Sequence, residues 1–286
     1  MLPALTNSAA NERQIDLQQQ AGQGKAMKNY DYVETVDNTR HGKLRVKPNP
    51  DFGHAKNFNL ASVTLAELSA CTANYPVVFV KNPDNQQIRP VAMFGLRPGE
   101  NVFYDKENWG ATYVPLIIQR HPFLIGFDDH EEDSTTLTIC LDKNSPLLGE
   151  DEGIALYTDT GEQTDYLKSR KMLLSELFEG EKIAESFVQK MTEMDLFLPF
   201  ELIMQPLNDE PRKVTGMYTL DERKLRALSP EQLQELHKLD FLPGCYIIIG
   251  SLFQIHELMK LRNQKTGELI NYRIDLQPES ANEGSV

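Results

Sequence analysis

The residues best suited to chemistry lie in WGATYVPLIIQRHPF, Trp109 to Phe123. Gln119, Arg120 and His121 interrupt a run, YVPLIIQRHPFLI (113–125), that is otherwise nearly all apolar. Arginine presents a planar fork of donors that fits a carboxylate or a phosphate. With His121 beside Arg120, and Trp109 and Tyr113 as aromatic walls, the block suits a small anionic or aromatic metabolite. Trp109, Tyr113, Arg120 and His121 are therefore the candidate ligand-binding residues. The alternative is architectural: Arg120 pairs with a buried Asp or Glu and ties two layers together, and the aromatics are core. No spacing supplies a nucleophile with its base, and no Ser/His/Asp motif occurs, so no catalytic residue is nominated.

Metal and cofactor chemistry find weaker footing. DDHEED, Asp128 to Asp133, sets one histidine among carboxylates, but no second histidine follows at helical spacing, so no metal site is nominated. AGQGKA (21–26) has neither the glycine spacing nor the Ser/Thr of a phosphate loop, and no cofactor is expected. Cys71, Cys140 and Cys245 are odd in number and far apart, which fits a reducing compartment better than a disulfide framework.

The elements that must position the block follow from local pattern. Pro115 suits the first position of a helix and Pro122 stops one, so 114–120 reads as one or two helical turns. PFLIGF then reads as a strand, DDHEEDST as a loop and TLTICLD as the returning strand. Upstream, SVTLAELSACTAN is a capped helix, and YPVVFVKN and IRPVAMFGL form a hairpin. Downstream, Thr164 to about Met194 carries a helical stripe that Gly180 is expected to interrupt. PFELIMQPL and KVTGMYTLD are strands, and Asp221 is placed to cap the helix that follows. SPEQLQELHKL is a helix with Ser229 as cap, Pro230 at its first position and Gln232 completing a capping box. PGCYIIIGSLFQIHELMKLRN reads as one buried helix and ELINYRIDL as a last strand. The class is α+β: mixed antiparallel strands and hairpins with packed helices, the C-terminal part helix-rich.

Size and charge bound the rest. A chain of 286 residues, 40% apolar, can bury a sizeable core. Residues 1–40 lack apolar periodicity and are expected to be a tail, with order from near Leu44. Residues 41–277 read as a single domain and 278–286 as a second tail. The net charge of −13 argues against nucleic acid and anionic membrane surfaces, both polyanions. The start of the chain has no cationic and apolar leader, and CYIIIGSLFQI (245–255) is too short to span a bilayer. A cytoplasmic protein with no membrane span is the expectation.

Three blocks resemble the SapC family of bacterial proteins, over about Asn59 to Met259. The first is ANYPVVFVKN (73–82) with GLRPGENVFYD (95–105). The second is Trp109 to Phe123, where the family shows a Trp, a Tyr-x-Pro, then paired basic residues before an aromatic, Pro and Phe. Here Gln119–Arg120 replaces the basic pair and His121 the aromatic. The third is VTGMYTLDERKLRALSPEQLQELHKLDFLPGCYIIIGSL, with its Gly216, Tyr218, Asp221 and Glu222 turn. The lack of a recognisable catalytic constellation points to an accessory or binding protein rather than an enzyme. The resemblance implies a protein partner, either a halogenase-like flavoprotein or a TonB-dependent nutrient-uptake system. An enzyme acting at the Trp109–His121 block and a surface-layer assembly component are the rival readings.

Overall fold

The computed structural model describes residues 32–49, 51–82, 86–127, 137–206, 211–268 and 270–276. The elements begin with β1 (Val33–Thr35), α1 (Asn38–His41), β2 (Arg45–Val46), β3 (Leu60–Ser62) and α2 (Leu68–Cys71). Then come β4 (Val77–Lys81), β5 (Ile88–Met93), β6 (Tyr104–Asp105), β7 (Asn108–Trp109), α3 (Leu116–Gln119), β8 (Phe123–Phe127) and β9 (Leu137–Asp142). After β10 (Leu148–Gly149) and β11 (Ile154–Ala155), α4 runs from Asp165 to Glu193, followed by β12 (Phe197–Pro206) and β13 (Arg212–Leu220). Helices α5 (Glu222–Arg226), α6 (Pro230–Lys238), α7 (Leu242–Ser251) and α8 (Gln254–Thr266) precede β14 (Ile270–Leu276). The fold is α+β with antiparallel sheets and a helix-rich C-terminal part.

The described residues divide into two compact units, one of 54–115 and 180–276, the other of 32–53 and 116–179. No linker composition marks these divisions, because the chain passes from one unit to the other at Pro115–Leu116 and again inside the continuous helix α4.

The first unit is built on a six-stranded sheet in the order β14-β12-β13-β4-β5-β3. The expected hairpin is present: β4 and β5 pair from Val77↔Ala92 to Lys81↔Ile88. Along β12, Phe200, Leu202 and Met204 are buried and the residues between them are not, the period-two pattern of a strand with one core face. Phe79 of β4 stacks on Phe187 of α4 with ring centroids 6.3 Å apart, and Phe187 meets Phe241 edge-on at 5.2 Å. Burying each such ring is worth about 1.5–3 kcal/mol.

Two expectations are corrected in this unit. Gly180 does not interrupt α4, which is continuous. A Cβ there would lie 2.6 Å from Cγ2 of Thr64, so the glycine allows close approach rather than a break. The long C-terminal apolar helix is two helices, α7 and α8, parted at Leu252–Phe253. At the break Ser251 accepts a hydrogen bond from Val77 N–H (3.0 Å), while its hydroxyl faces the Ile248 carbonyl at 2.7 Å. A tertiary bond of this kind leaves no mark on sequence periodicity.

In the second unit β1-β9-β8 and β10-β2-β11 are three-stranded antiparallel sheets. The hairpin around the predicted loop is present, with Phe123↔Leu141 and Phe127↔Leu137 as its limits. Residues 128–133 lie outside the described residues. Val36, Val46, Phe123, Ile139, Leu141, Leu156, Tyr157, Leu167 and Leu174 form the core. Among the described residues regular structure is already present at Val33, ahead of the expected Leu44. The partners of Val33–Thr35 are Asp142, Leu141 and Cys140, over a hundred residues away, so local periodicity could not show it. Asp37 then caps α1 by accepting from Arg40 N–H at 2.9 Å.

Gly180→Ala should lower stability by about 1–3 kcal/mol in denaturant unfolding, the usual cost of overpacking. Thr64→Ser in that background removes Cγ2 but keeps the hydroxyl and should recover part of the loss. Unchanged stability of Gly180→Ala would show that the two segments are not closely packed.

Candidate functional site

The four candidate residues fall into two pairs. Trp109 and Tyr113 belong to the first unit, Arg120 and His121 to the second.

Trp109 pairs with Tyr104 in the small β6–β7 ribbon. Its indole N–H donates to Tyr75 Oη at 2.8 Å, and the Tyr75 hydroxyl donates to the main-chain carbonyl of Tyr113. The Tyr113 hydroxyl in turn donates to Oε1 of Glu67 at 3.0 Å. Glu67 is buried, and its Oε2 accepts from Thr64 N–H (3.0 Å) and from the Thr64 hydroxyl (2.9 Å). Thr64 and Glu67 thereby form a capping box around the turn Leu65–Glu67, which leads into α2. Aromatic rings enclose this polar chain: Phe94 lies edge-on to Trp109 at 5.2 Å and to Tyr75 at 5.0 Å, and Phe103 lies 4.8 Å from Tyr75.

The electrostatics are those of a dry interior. Burial pushes the Tyr75 phenol well above its ordinary range, against a smaller opposing effect of the Trp109 hydrogen bond. Burial, reinforced by the Glu67 carboxylate, pushes the Cys71 thiol up as well. Cys245 is pushed up to about 12 by burial. All three stay protonated at neutral pH, so neither thiol is an activated nucleophile.

Arg120 and His121 sit in the turn from α3 to β8. Arg120 is 7% exposed, and its Nη1 donates to the carbonyl of Phe123 at 2.9 Å. The Phe123 N–H returns a bond to the Arg120 carbonyl at 2.8 Å. His121 Nε2 lies 3.0 Å from Ser145 Oγ, and the His121–Pro122 peptide is cis. The arginine thus closes its own turn onto the first residue of β8, which is in the core of the unit.

A second polar centre of the first unit escaped sequence reading. Arg262 of α8 is 1% exposed and lies 3.0 Å from Glu100 Oε1 and 3.3 Å from Glu268 Oε2. Glu100 also accepts from Leu96 N–H at 2.8 Å, and Lys265 donates to the Asn101 carbonyl at 2.7 Å. These bonds hold residues 96–101, the approach to the Trp109 ribbon. One signal was legible: Ile255, Leu258, Met259 and Arg262 fall on one helical face, which puts a charge on the buried stripe. Among the described residues no group of three or more His, Cys, Asp or Glu could hold a metal ion.

Glu67→Gln would turn an amide N–H₂ toward groups that donate to the carboxylate, and should cost about 2 kcal/mol in chemical denaturation. Arg120→Ala removes a bond made by a charged donor and should cost about 1.5–3 kcal/mol. Arg120→Lys should recover only part of it, because lysine lacks the planar fork. Parent-like stability in both Arg120 variants would show that the turn does not depend on the guanidinium.

Comparison with known proteins agrees with the three blocks. No curated protein and no solved structure matches the chain. The SapC family model matches residues 36–258, well over half of the sequence and inclusive of every residue of the candidate block. The chain belongs to the SapC family.

Proposed function

We propose that this SapC-family chain is a binding or accessory protein that supports a protein partner, a halogenase-like flavoenzyme or a TonB-dependent nutrient-uptake system. The observation that carries the reading is where the block directs its polar atoms. Trp109 Nε1 is on Tyr75, Tyr113 Oη on Glu67, Arg120 Nη1 on a main-chain carbonyl and His121 Nε2 on Ser145. Groups engaged in this way hold the fold around them, which supports an architectural role for the block over action on a substrate. The buried, protonated thiols of Cys71 and Cys245 support the same conclusion.

We place the protein in the cytoplasm without a membrane span. Its three cysteines are buried thiols, compatible with a reducing compartment. Among the described residues, Leu242–Thr266 is long and apolar enough to cross a membrane by length and composition alone. Its packing supports a different role. Cys245, Ile248, Ile255, Leu258 and Met259 are buried, α7 lies on β13 and β4, and Arg262 sits in an ion-pair cluster.

Trp109 is the only tryptophan, so its emission reports on the block directly. Titration with small aromatic carboxylates should leave that emission unchanged, while calorimetry with a purified halogenase-like flavoprotein or TonB-dependent receptor should show saturable binding. A saturable emission change with the carboxylates, and none of the partners bound, would replace the accessory role with that of a metabolite binder or enzyme.

A further inference from the structure

Strand β14 is the outer strand of the six-stranded sheet, paired on one side with β12 and with no other described strand. Its seven residues, INYRIDL, contain no proline. They pair with β12 from Phe200↔Leu276 to Pro206↔Ile270 without a shift in register. A regular edge of this length offers a row of main-chain donors and acceptors to another strand. Proteins ordinarily blunt such an edge with a bulge, a proline or a repelling charge.

The side chains specify what fits. Ile270, Tyr272, Ile274 and Leu276 alternate onto one face, where Ile270 is buried and the Tyr272 ring lies 5.4 Å from His256 of α8. That row ends in Leu276, which is 53% exposed. Phe253, 77% exposed, lies 6.2 Å from His256, so apolar surface continues from the strand onto the helices. The other face carries Asn271, Arg273 and Asp275, and Arg273 lies 3.3 Å from Asp275 on the same strand.

We propose that β14 is a dimer interface at which two copies of this chain pair their edge strands antiparallel about a two-fold axis at Ile274. In that register Ile274 meets its own copy and Tyr272 meets Leu276 of the second copy, which covers the exposed leucine. Arg273 meets Asp275 of the second copy, and the symmetry makes this pair twice. Charge selects the register. Centring the axis on Arg273 would oppose two guanidiniums, and a one-residue slip would set the apolar row against the polar one. Both copies use the same edge, so the assembly closes at two chains and does not propagate.

The test uses the full chain in sedimentation equilibrium over a concentration series, with thermal melts as a control for folding. The parent should dimerise. Arg273→Asp and Asp275→Arg each replace two attractions by two repulsions and should weaken the dimer at least about tenfold. The double variant, Arg273→Asp with Asp275→Arg, should restore it, and mixing the two single variants should yield mixed dimers. Both side chains lie on the solvent face, so the melts should remain close to the parent's. A parent that stays monomeric throughout, a dimer indifferent to the single changes, or single variants rescued neither by the double change nor by mixing would each overturn the proposal.

Discussion

The Glu67 carboxylate receives three hydrogen bonds inside the first unit, from the main chain and hydroxyl of Thr64 and from the phenol of Tyr113. A buried carboxylate costs several kcal/mol unless donors surround it, so its partners are held as firmly as it is. The turn that starts α2, the backbone at Tyr113 and the Trp109 indole are therefore joined in one chain of bonds. Gly180 of α4 approaches the same Thr64, so helix and turn share a contact that allows no extra methyl group. Much of what the second family block contributes to this unit follows from that single charge.

Arg262 is its counterpart in the C-terminal helices. It brings a permanent cation to a buried position, where Glu100 and Glu268 balance it. Stripping Arg262 of its carboxylate partners would strand a buried cation, a change that typically costs about 3–5 kcal/mol. The two centres sit on either side of the segment from Leu96 to Tyr113 in sequence. That segment has little regular structure of its own, only the two-residue strands β6 and β7. Its conformation rests on side-chain bonds at both ends.

Much of the fold was legible where the signal is local. The Ser229–Gln232 capping box and the Asp221 cap depend on residues within a few positions of one another, and the β4–β5 and β8–β9 hairpins on strands that follow one another directly in the chain. The helical turn ahead of Pro122 was legible for the same reason. The site was legible only as a set of residue types. The spacing of Trp109, Tyr113, Arg120 and His121 suggested one constellation, yet the chain passes from one compact unit to the other between Tyr113 and Arg120.

The α+β class, the order of most elements, the family resemblance and the polar interruption at 119–121 are all readable from residue order. Short-range sterics, capping and period-two burial act within a few residues, and composition records them. Long-range packing sets the rest: Tyr113 bonds to Glu67, Arg120 closes its own turn, Gly180 serves packing and Val33–Thr35 joins a sheet. Each of these depends on which distant group occupies the facing space. That choice is made by the packing of the whole chain, and no window of neighbouring residues contains it.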